Sequence, residues 1–194
     1  MTIDWTALSR DLGTRFALGG AVAETGGSDL AQQALDRIVG EVAWQDAVEH
    51  YIAARPGYEL VRSVLSLAQP GSAMEYCRVV FESDRPLSDR QGAVELLRAF
   101  ADRRALDWVP AFLADGDPQI RHFGLRLLDR VLWDDADLKD PAVVAVFEAA
   151  LIHPDEDLVA AAKALRDEWR ARVAEWEVAD AAANARLRAQ DKQT

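Results

Sequence analysis

The residue types that most often perform chemistry are few in this sequence and lie far apart. The three histidines, His50, His122 and His153, have no cysteine or carboxylate partners at the spacing of a metal site. Cys77 lies within an apolar helical pattern with no histidine near it, so we interpret it as a small buried residue and not as a nucleophile. The sequence has neither a P-loop nor a GxGxxG motif. We therefore expect no catalytic residues, no cofactor and no metal ion.

Two polar segments have some features of a ligand site. The run Gly-Gly-Ser-Asp at 26–29 precedes a predicted helix and could hold an anion. However, Asp29 would repel phosphate, and a plain loop with Ser28 as N-cap is the simpler interpretation.

The acidic segment 134–140 lacks the central glycine and distal glutamate of an EF-hand. We rank a solvated loop first, a docking patch for a basic partner second and a metal site third.

One polar row with an aromatic side chain is the best candidate for binding a partner. Trp133 ends a predicted helix in register with His122, Arg126 and Asp129, away from the apolar stripe of that helix. An aromatic side chain in a polar row is typical of a binding anchor; the alternative is that Trp133 folds back onto the following helices. With the preceding helix and the acidic segment, the candidate partner-binding residues are His122, Arg126, Asp129, Trp133, Asp134, Asp135, Asp137, Glu95 and Arg98.

The row depends on a helical hairpin between Trp108 and Leu132. An apolar run over 108–113 stops at the turn 115–118, and a second helical run follows. Asp117 is a good N-cap, and Pro118 occupies the first helical position, where its missing N–H costs nothing. One face of the second run carries apolar or small residues at Ile120, Gly124, Leu127, Leu128 and Val131. The segment therefore predicts a helix, a tight turn and an antiparallel helix.

This hairpin resembles a HEAT repeat. The resemblance rests on Asp117-Pro118-x-Ile120-Arg121-x-x-Gly124, with Pro110 before it and Leu128 after it. It implies that Arg121 bonds back to an aspartate of the turn, and that the second helix of each pair lines a concave face. The small residue at Gly124 lets the two helices approach closely. The HEAT fold hosts scaffolds, adaptors, inhibitors and a few enzymes, so the resemblance predicts architecture rather than activity.

The same spacing recurs along the chain, with anchors at positions 31, 62, 90, 121 and 159. We therefore predict an all-α fold, a right-handed α-α superhelix (solenoid) of about five degenerate HEAT-like helical hairpins. A long C-terminal helix would cap the array. We expect a single domain over 1–194, with repeats at about 3–40, 41–69, 72–102, 104–133 and 141–188.

The local patterns give further expectations for individual residues. Capping boxes are predicted at Ser72 with Glu75 and at Ser88 with Gln91. We expect a first helix from Ile3 towards Leu18, interrupted by Gly13, and then a loop bracketed by glycine pairs. The apolar stripes place a further set of residues in the core: Trp5, Leu30, Ala34, Leu35, Ile38, Trp44, Leu60, Val61, Val64, Leu65, Trp108, Trp169 and Trp176.

Charge and composition restrict the classes of partner. The formal net charge is −11, and the segment 133–157 contains eight acidic residues and one lysine. An acidic surface disfavours nucleic acid and favours encounter with a basic protein. No window is long and apolar enough for a membrane span, the N-terminus lacks the features of a signal peptide, and the single cysteine fits a reducing compartment. We expect a cytoplasmic, soluble monomer without a membrane or nucleic-acid partner.

Three functional hypotheses follow from these features. The first is a non-enzymatic protein-binding module, an adaptor or an inhibitor of the immunity type, that recognises a basic protein through its concave face and acidic edge. The alternative is an enzyme on the same fold, because HEAT-like DNA glycosylases act on alkylated bases with aromatic and acidic groups. Trp133 with Asp129 would be that pair here. A bilin lyase or chaperone is a third possibility, since some such proteins have HEAT-like repeats.

Overall fold

The chain is described from a computed structural model, which covers residues 2–18, 21–24, 26–134 and 137–191. It falls into two compact units, Met1–Asp134 and Asp135–Thr194, where the sequence suggested one domain. The boundary lies within the acidic segment 134–140. Each unit is described by itself below.

The first unit begins with a short helix, a hairpin and a second helix: α1 (Trp5–Asp11), β1 (Arg15–Leu18), β2 (Ala21–Glu24) and α2 (Ser28–Val39). Four longer helices follow: α3 (Glu41–Ile52), α4 (Tyr58–Ala68), α5 (Gly71–Glu82) and α6 (Leu87–Phe100). A 3₁₀ turn (Arg103–Trp108) leads into α7 (Val109–Leu113) and α8 (Pro118–Asp134). The all-α prediction is confirmed by this predominance of helix.

The short β-hairpin is the one departure from helix among the described residues. The two strands pair antiparallel, with Arg15 opposite Glu24 and Leu18 opposite Ala21. Helix α1 ends early because Gly13 takes a left-handed conformation at φ +67°, which glycine adopts without a steric penalty. The sequence predicted helix towards Leu18 and then a loop bracketed by glycine pairs, so the helix prediction is wrong for β1 and the loop prediction is wrong for β2. Gly19 and Gly20 lie outside the described residues.

The first predicted helix pair does not form the expected core. Neither α1 nor α2 contains a buried residue, Trp5 is 63 % exposed and Leu35 is 44 % exposed. Gly27, not Ser28, occupies the N-cap of α2. The prediction that these residues belong to the core is therefore wrong. Helix α2 does contact α3, α4 and α5, but an apolar stripe is buried only as far as its neighbours cover it, and Leu30, Ala34 and Ile38 are only half-buried.

Three antiparallel helix pairs form the core of the first unit. Helix α3 packs on α4, α5 on α6, and α7 on α8, while α3 also contacts α5, α4 contacts α6, and α6 contacts α8. These pairs end within a few residues of the predicted boundaries 41–69, 72–102 and 104–133. Their buried residues include Trp44, Val48, Phe100, Phe112 and Ile120.

The turn of the α7–α8 hairpin follows the sequence prediction closely. The Asp117 carboxylate accepts hydrogen bonds from the backbone N–H groups of Gln119 and Ile120, both at 3.0 Å. Arg121 reaches back to the turn, where its Nη1 donates to the carbonyl oxygens of Asp115 and Gly116 at 3.0 Å each. The turn is thereby stabilised by the carboxylate of Asp117 and by the guanidinium of Arg121.

Close helix approach at Gly124 is confirmed. A Cβ added at this glycine would lie 2.5 Å from Cβ of Phe112 on α7, closer than two carbon atoms can come. Only a residue without a side chain allows α7 and α8 to pack at this distance.

Helix α6 is tied to the following turn by polar contacts. Arg90 donates from Nε to the Phe81 carbonyl at 2.9 Å and forms an ion pair with the Asp115 carboxylate, of which only 13 % of the side chain is exposed. Gln91 donates to Asp117 at 3.1 Å. These bonds join the α5–α6 pair to the α7–α8 pair through side chains as well as through packing.

Both predicted capping boxes are wrong. Pro70 and Pro86 occupy the N-cap positions of α5 and α6, so Ser72 and Ser88 lie inside the first turns. Ser72 instead meets Asp36 on α2, whose carboxylate accepts from the Ser72 backbone N–H at 3.2 Å and from its hydroxyl. The orphaned N–H at the start of α5 is thus satisfied by a residue 36 positions earlier.

The second unit contains α9 (Pro141–Leu151) and α10 (Glu156–Asp191), which pack against each other. Asp140 caps α9 by accepting from the Ala142 N–H at 2.9 Å, and Asp155 caps α10 by accepting from the Asp157 N–H at 3.0 Å. The predicted long C-terminal helix is present, with 36 residues. Of its two tryptophans, Trp169 is buried as expected, whereas Trp176 is 46 % exposed.

Candidate partner-binding surface

The predicted polar row forms a surface across two neighbouring helices of the first unit. Glu95 and Arg98 lie half-buried on α6, which packs directly on α8. On α8, His122 and Trp133 are exposed, with 54 % of Trp133 accessible, and Arg126 and Asp129 lie half-buried between them. We call these six residues, Glu95, Arg98, His122, Arg126, Asp129 and Trp133, the α6–α8 row.

Side-chain contacts join the two halves of the α6–α8 row. The Arg98 guanidinium on α6 lies over the Phe123 ring on α8, 5.2 Å from its centroid. Phe123 also contacts the adjacent His122 ring, with 6.5 Å between centroids. Further along α8, Arg126 pairs with Asp129 at 3.4 Å. The row is therefore fixed by contacts between its members and the core beneath.

The surroundings of His122 disfavour its charged form. Partial burial lowers the pKa of His122, and the positive charges of Arg126 and Arg98 lower it further. Arg126 on α8 and Arg98 on α6 are thus both close enough to the imidazole to affect its charge. The row offers two cations, two carboxylates, one imidazole and one indole.

The acidic edge predicted beside this row is only partly visible. Asp135 and the side chain of Asp134 lie outside the described residues. Asp137 is exposed in the second unit, and its carboxylate accepts from the Lys139 backbone N–H at 2.9 Å, as in an ordinary turn. The α6–α8 row itself is of mixed charge and not acidic.

Sequence reasoning missed a groove between α4 and α6. Its volume is about 620 Å³, and the lining residues are Arg62, Ser63, Ser66, Leu67, Glu95, Arg98 and Ala99. The sequence placed Leu60 and Val64 of α4 in the core, but they are 70 % and 45 % exposed, and only Leu65 and Ala68 of that helix are buried. A signal was present, because apolar residues of α4 cover more of its circumference than one neighbouring layer can bury.

Cys77 and the metal-ligating residue types are the remaining candidates for chemistry in the described part of the chain. Cys77 is fully buried, and burial raises the pKa of its thiol far above the usual range, which confirms its interpretation as a core residue. Within the described ranges, no three His, Cys, Asp or Glu side chains are grouped to hold a metal ion. None of the described helices combines the length and hydropathy that crossing a bilayer requires.

Comparison of the chain with models of protein families, with curated proteins and with solved structures finds no match.

Proposed function

We propose that the chain is a HEAT-like α-solenoid that binds a protein partner through the α6–α8 row and catalyses no reaction. The successive contacts of α3 with α5, of α4 with α6 and of α6 with α8 support stacked hairpins, as does the Asp117-Pro118 turn with its returning Arg121. In this arrangement α4, α6 and α8 form one layer, which would be the concave face.

The observation that carries the proposal is the composition of the α6–α8 row. The solvent-exposed indole of Trp133 shares helix α8 with Arg126 and Asp129, which pair with each other, and Arg98 of the neighbouring helix lies over the Phe123 ring. Tryptophan and arginine are the residue types that most often dominate binding energy at protein interfaces. Pre-ordered side chains also lose less conformational entropy when a partner binds.

The partner that we propose is a basic protein, and an inhibitor of the immunity type is the specific version of this proposal. The net charge of −11 creates a long-range attraction for such a partner, while the α6–α8 row supplies the short-range contacts. The glycosylase alternative would need Asp129 beside Trp133, but Asp129 is engaged with Arg126 at 3.4 Å.

The test is affinity capture from the source lysate with two matched tryptophan variants. Trp133→Ala removes the indole of the α6–α8 row, which is 54 % exposed. Trp5→Ala removes an indole on α1 that is similarly exposed, at 63 %. We expect the wild type and Trp5→Ala to retain one dominant basic protein. Trp133→Ala should retain at least about tenfold less of that protein, as expected for a hot-spot residue.

Two further results decide the chemistry of the partner. Association with a basic protein should slow as salt rises, because exposed charges are screened over about 8 Å at physiological ionic strength. Equal loss with both tryptophan variants, or nucleic acid as the retained species, would contradict the proposed surface and partner.

A further inference from the structure

Three side chains of the α6–α8 row come together at one end of it. Arg126 follows His122 by four residues on α8, a spacing that brings Cβ atoms on one helix face to within about 5–6 Å of each other. From α6, the Arg98 guanidinium lies over the Phe123 ring at 5.2 Å, and that ring contacts the His122 ring at 6.5 Å between centroids. Two guanidinium groups therefore lie close to one exposed imidazole. We call Arg98, His122 and Arg126 the His122 cluster.

The carboxylates of the row do not neutralise the His122 cluster. In the described part of the chain, Arg98 forms no ion pair. Glu95, three residues earlier on α6, lies towards α3, where it raises the pKa of Tyr51. Asp129 pairs with Arg126 at 3.4 Å through one terminal nitrogen, but 41 % of that arginine side chain is exposed, and such pairs are weak and exchangeable. Both guanidinium groups can therefore accept a further anion.

The ionisation of His122 reports the same local excess of positive charge. Burial lowers its pKa, Arg126 and Arg98 lower it further, and no carboxylate of the described residues opposes them. Of the other elements that pack on α8, helix α7 has no titratable side chain, and the charged side chains of the 3₁₀ turn do not act on the imidazole. The potential at this imidazole is therefore positive, although the chain carries a net charge of −11.

We infer that Arg98, His122 and Arg126 form a subsite for a carboxylate side chain of the protein partner. The two guanidinium groups donate hydrogen bonds to the carboxylate oxygens, and the imidazole donates through a ring N–H. Phe123 supports the Arg98 guanidinium from below. The inference rests on the proposed function for the source of the carboxylate, and it adds the residue type that the partner presents to this end of the row.

The subsite restricts a basic partner to one orientation. The net charge of the chain attracts such a partner over long distances, but the His122 cluster repels its lysine and arginine side chains at short range. His122 and Trp133 are separated by eleven residues of α8, which is about 16 Å along a helix axis. A partner that contacts both ends of the row must therefore carry an acidic residue about 16 Å from the group that contacts the indole.

The experiment follows the three histidine rings of the purified full chain by NMR as a function of pH, at low ionic strength because salt screens exposed charges. The probes are a capped peptide of four glutamates, a capped peptide of four lysines, and inorganic phosphate. His50 and His153 serve as internal controls, because neither belongs to the His122 cluster. The dissociation constant of each probe comes from the same spectra.

Two charge-matched variants locate the binding site. The row variant is Arg98→Gln with Arg126→Gln, and the control variant is Arg55→Gln with Arg78→Gln. Arg78 resembles Arg126, because it is 38 % exposed and pairs with a carboxylate three residues away on its own helix. Both variants lose two positive charges, so the comparison removes the effect of net charge. Circular dichroism melting checks that each variant is folded.

The expected result is that the glutamate peptide raises the pKa of His122 and leaves those of His50 and His153 unchanged, because a nearby anion favours the protonated ring. The peptide therefore binds more tightly as the pH falls through the pKa of His122. The row variant should weaken binding by at least about tenfold, because it removes both charge-assisted donors. The control variant should behave as the wild type, and the lysine peptide should not bind.

Four results would overturn the inference: no binding of the glutamate peptide, equal shifts of all three histidines, equal losses in the two variants, or binding of phosphate as tight as that of the peptide. The comparison of the three histidines uses the wild type alone, so it decides even where the row variant fails to fold. None of these measurements includes the partner. Their failure is therefore distinct from failure of the lysate capture with Trp133→Ala.

Discussion

Replacement of Gly124 by alanine tests the close approach of α7 and α8 most directly. The added Cβ would lie 2.5 Å from Cβ of Phe112, whereas non-bonded carbon atoms pack best at about 3.5–4.0 Å, so the helices must separate by about 1 Å. Overpacking of this kind costs about 1–3 kcal/mol. The higher helix propensity of alanine offsets about 0.5–1 kcal/mol. We expect Gly124→Ala to lower the free energy of unfolding by about 1–2 kcal/mol.

Gly92 on α6 provides the matched control. It is also a glycine inside a helix of the first unit, but a Cβ there would meet Ile52 Cγ1 at 3.6 Å, which is an ordinary contact. Gly92→Ala should therefore raise the free energy of unfolding by about 0.5–1 kcal/mol, from helix propensity alone. The glycine-to-alanine substitution is therefore expected to change the free energy of unfolding in opposite directions at the two positions. Urea unfolding of both variants measures these two changes, provided that the denaturant dependence (m-value) stays that of the wild type.

A double variant identifies the obstructing atom. The nearest atom to the new methyl group is Cβ of Phe112, which leucine retains, so Phe112→Leu should not rescue Gly124→Ala. The reasoning is refuted if Gly124→Ala is as stable as the wild type while Gly92→Ala is stabilised. It is refuted equally if the leucine variant restores stability, because the obstruction would then be the aromatic ring and not Cβ of Phe112.

Two further predictions concern titratable groups of the first unit. Burial raises the pKa of Glu49, but hydrogen bonds from Arg85 and Tyr76 outweigh it and hold the pKa below its usual value. The stabilising effect of Glu49 is therefore full above the usual pKa of a glutamate and lost as the pH falls through the lowered value. Glu49→Gln should lower the free energy of unfolding by about 1 kcal/mol at pH 7 and by little in acid. Thermal melts that show the same loss of stability at both pH values would contradict this. Cys77 should react with a thiol reagent only as fast as the protein unfolds; rapid labelling in native buffer would show that it is accessible.

The sequence predicted the α7–α8 hairpin because its determinants are local. Asp117 caps a helix that starts one residue later, Arg121 returns to a turn within six residues, and Gly124 faces the preceding helix. Each of these interactions is encoded within one short segment, so spacing alone is informative.

Determinants that are distant in sequence were not predictable in the same way. Ser72 matches the pattern of a capping box, but its partner Asp36 comes from another helix, and no local rule contains that residue. Likewise, Leu60 and Val64 belong to a helix with an unusually wide apolar arc, and its pattern does not reveal which part of the arc a neighbour covers. The α6–α8 row was predicted from one helix and its equivalent in the preceding pair, whereas the α4–α6 groove required knowledge of which helices are adjacent.

The ties from Arg90 and Gln91 to the turn of the next hairpin have a consequence for local unfolding. Opening the turn at Asp115 breaks contacts of α6 as well as α8, so these two helices gain and lose structure as one cooperative unit. Helices α1 and α2 have no buried residues and open at a lower free energy. We therefore expect the helices that carry the α6–α8 row to open at a higher free energy than α1 and α2.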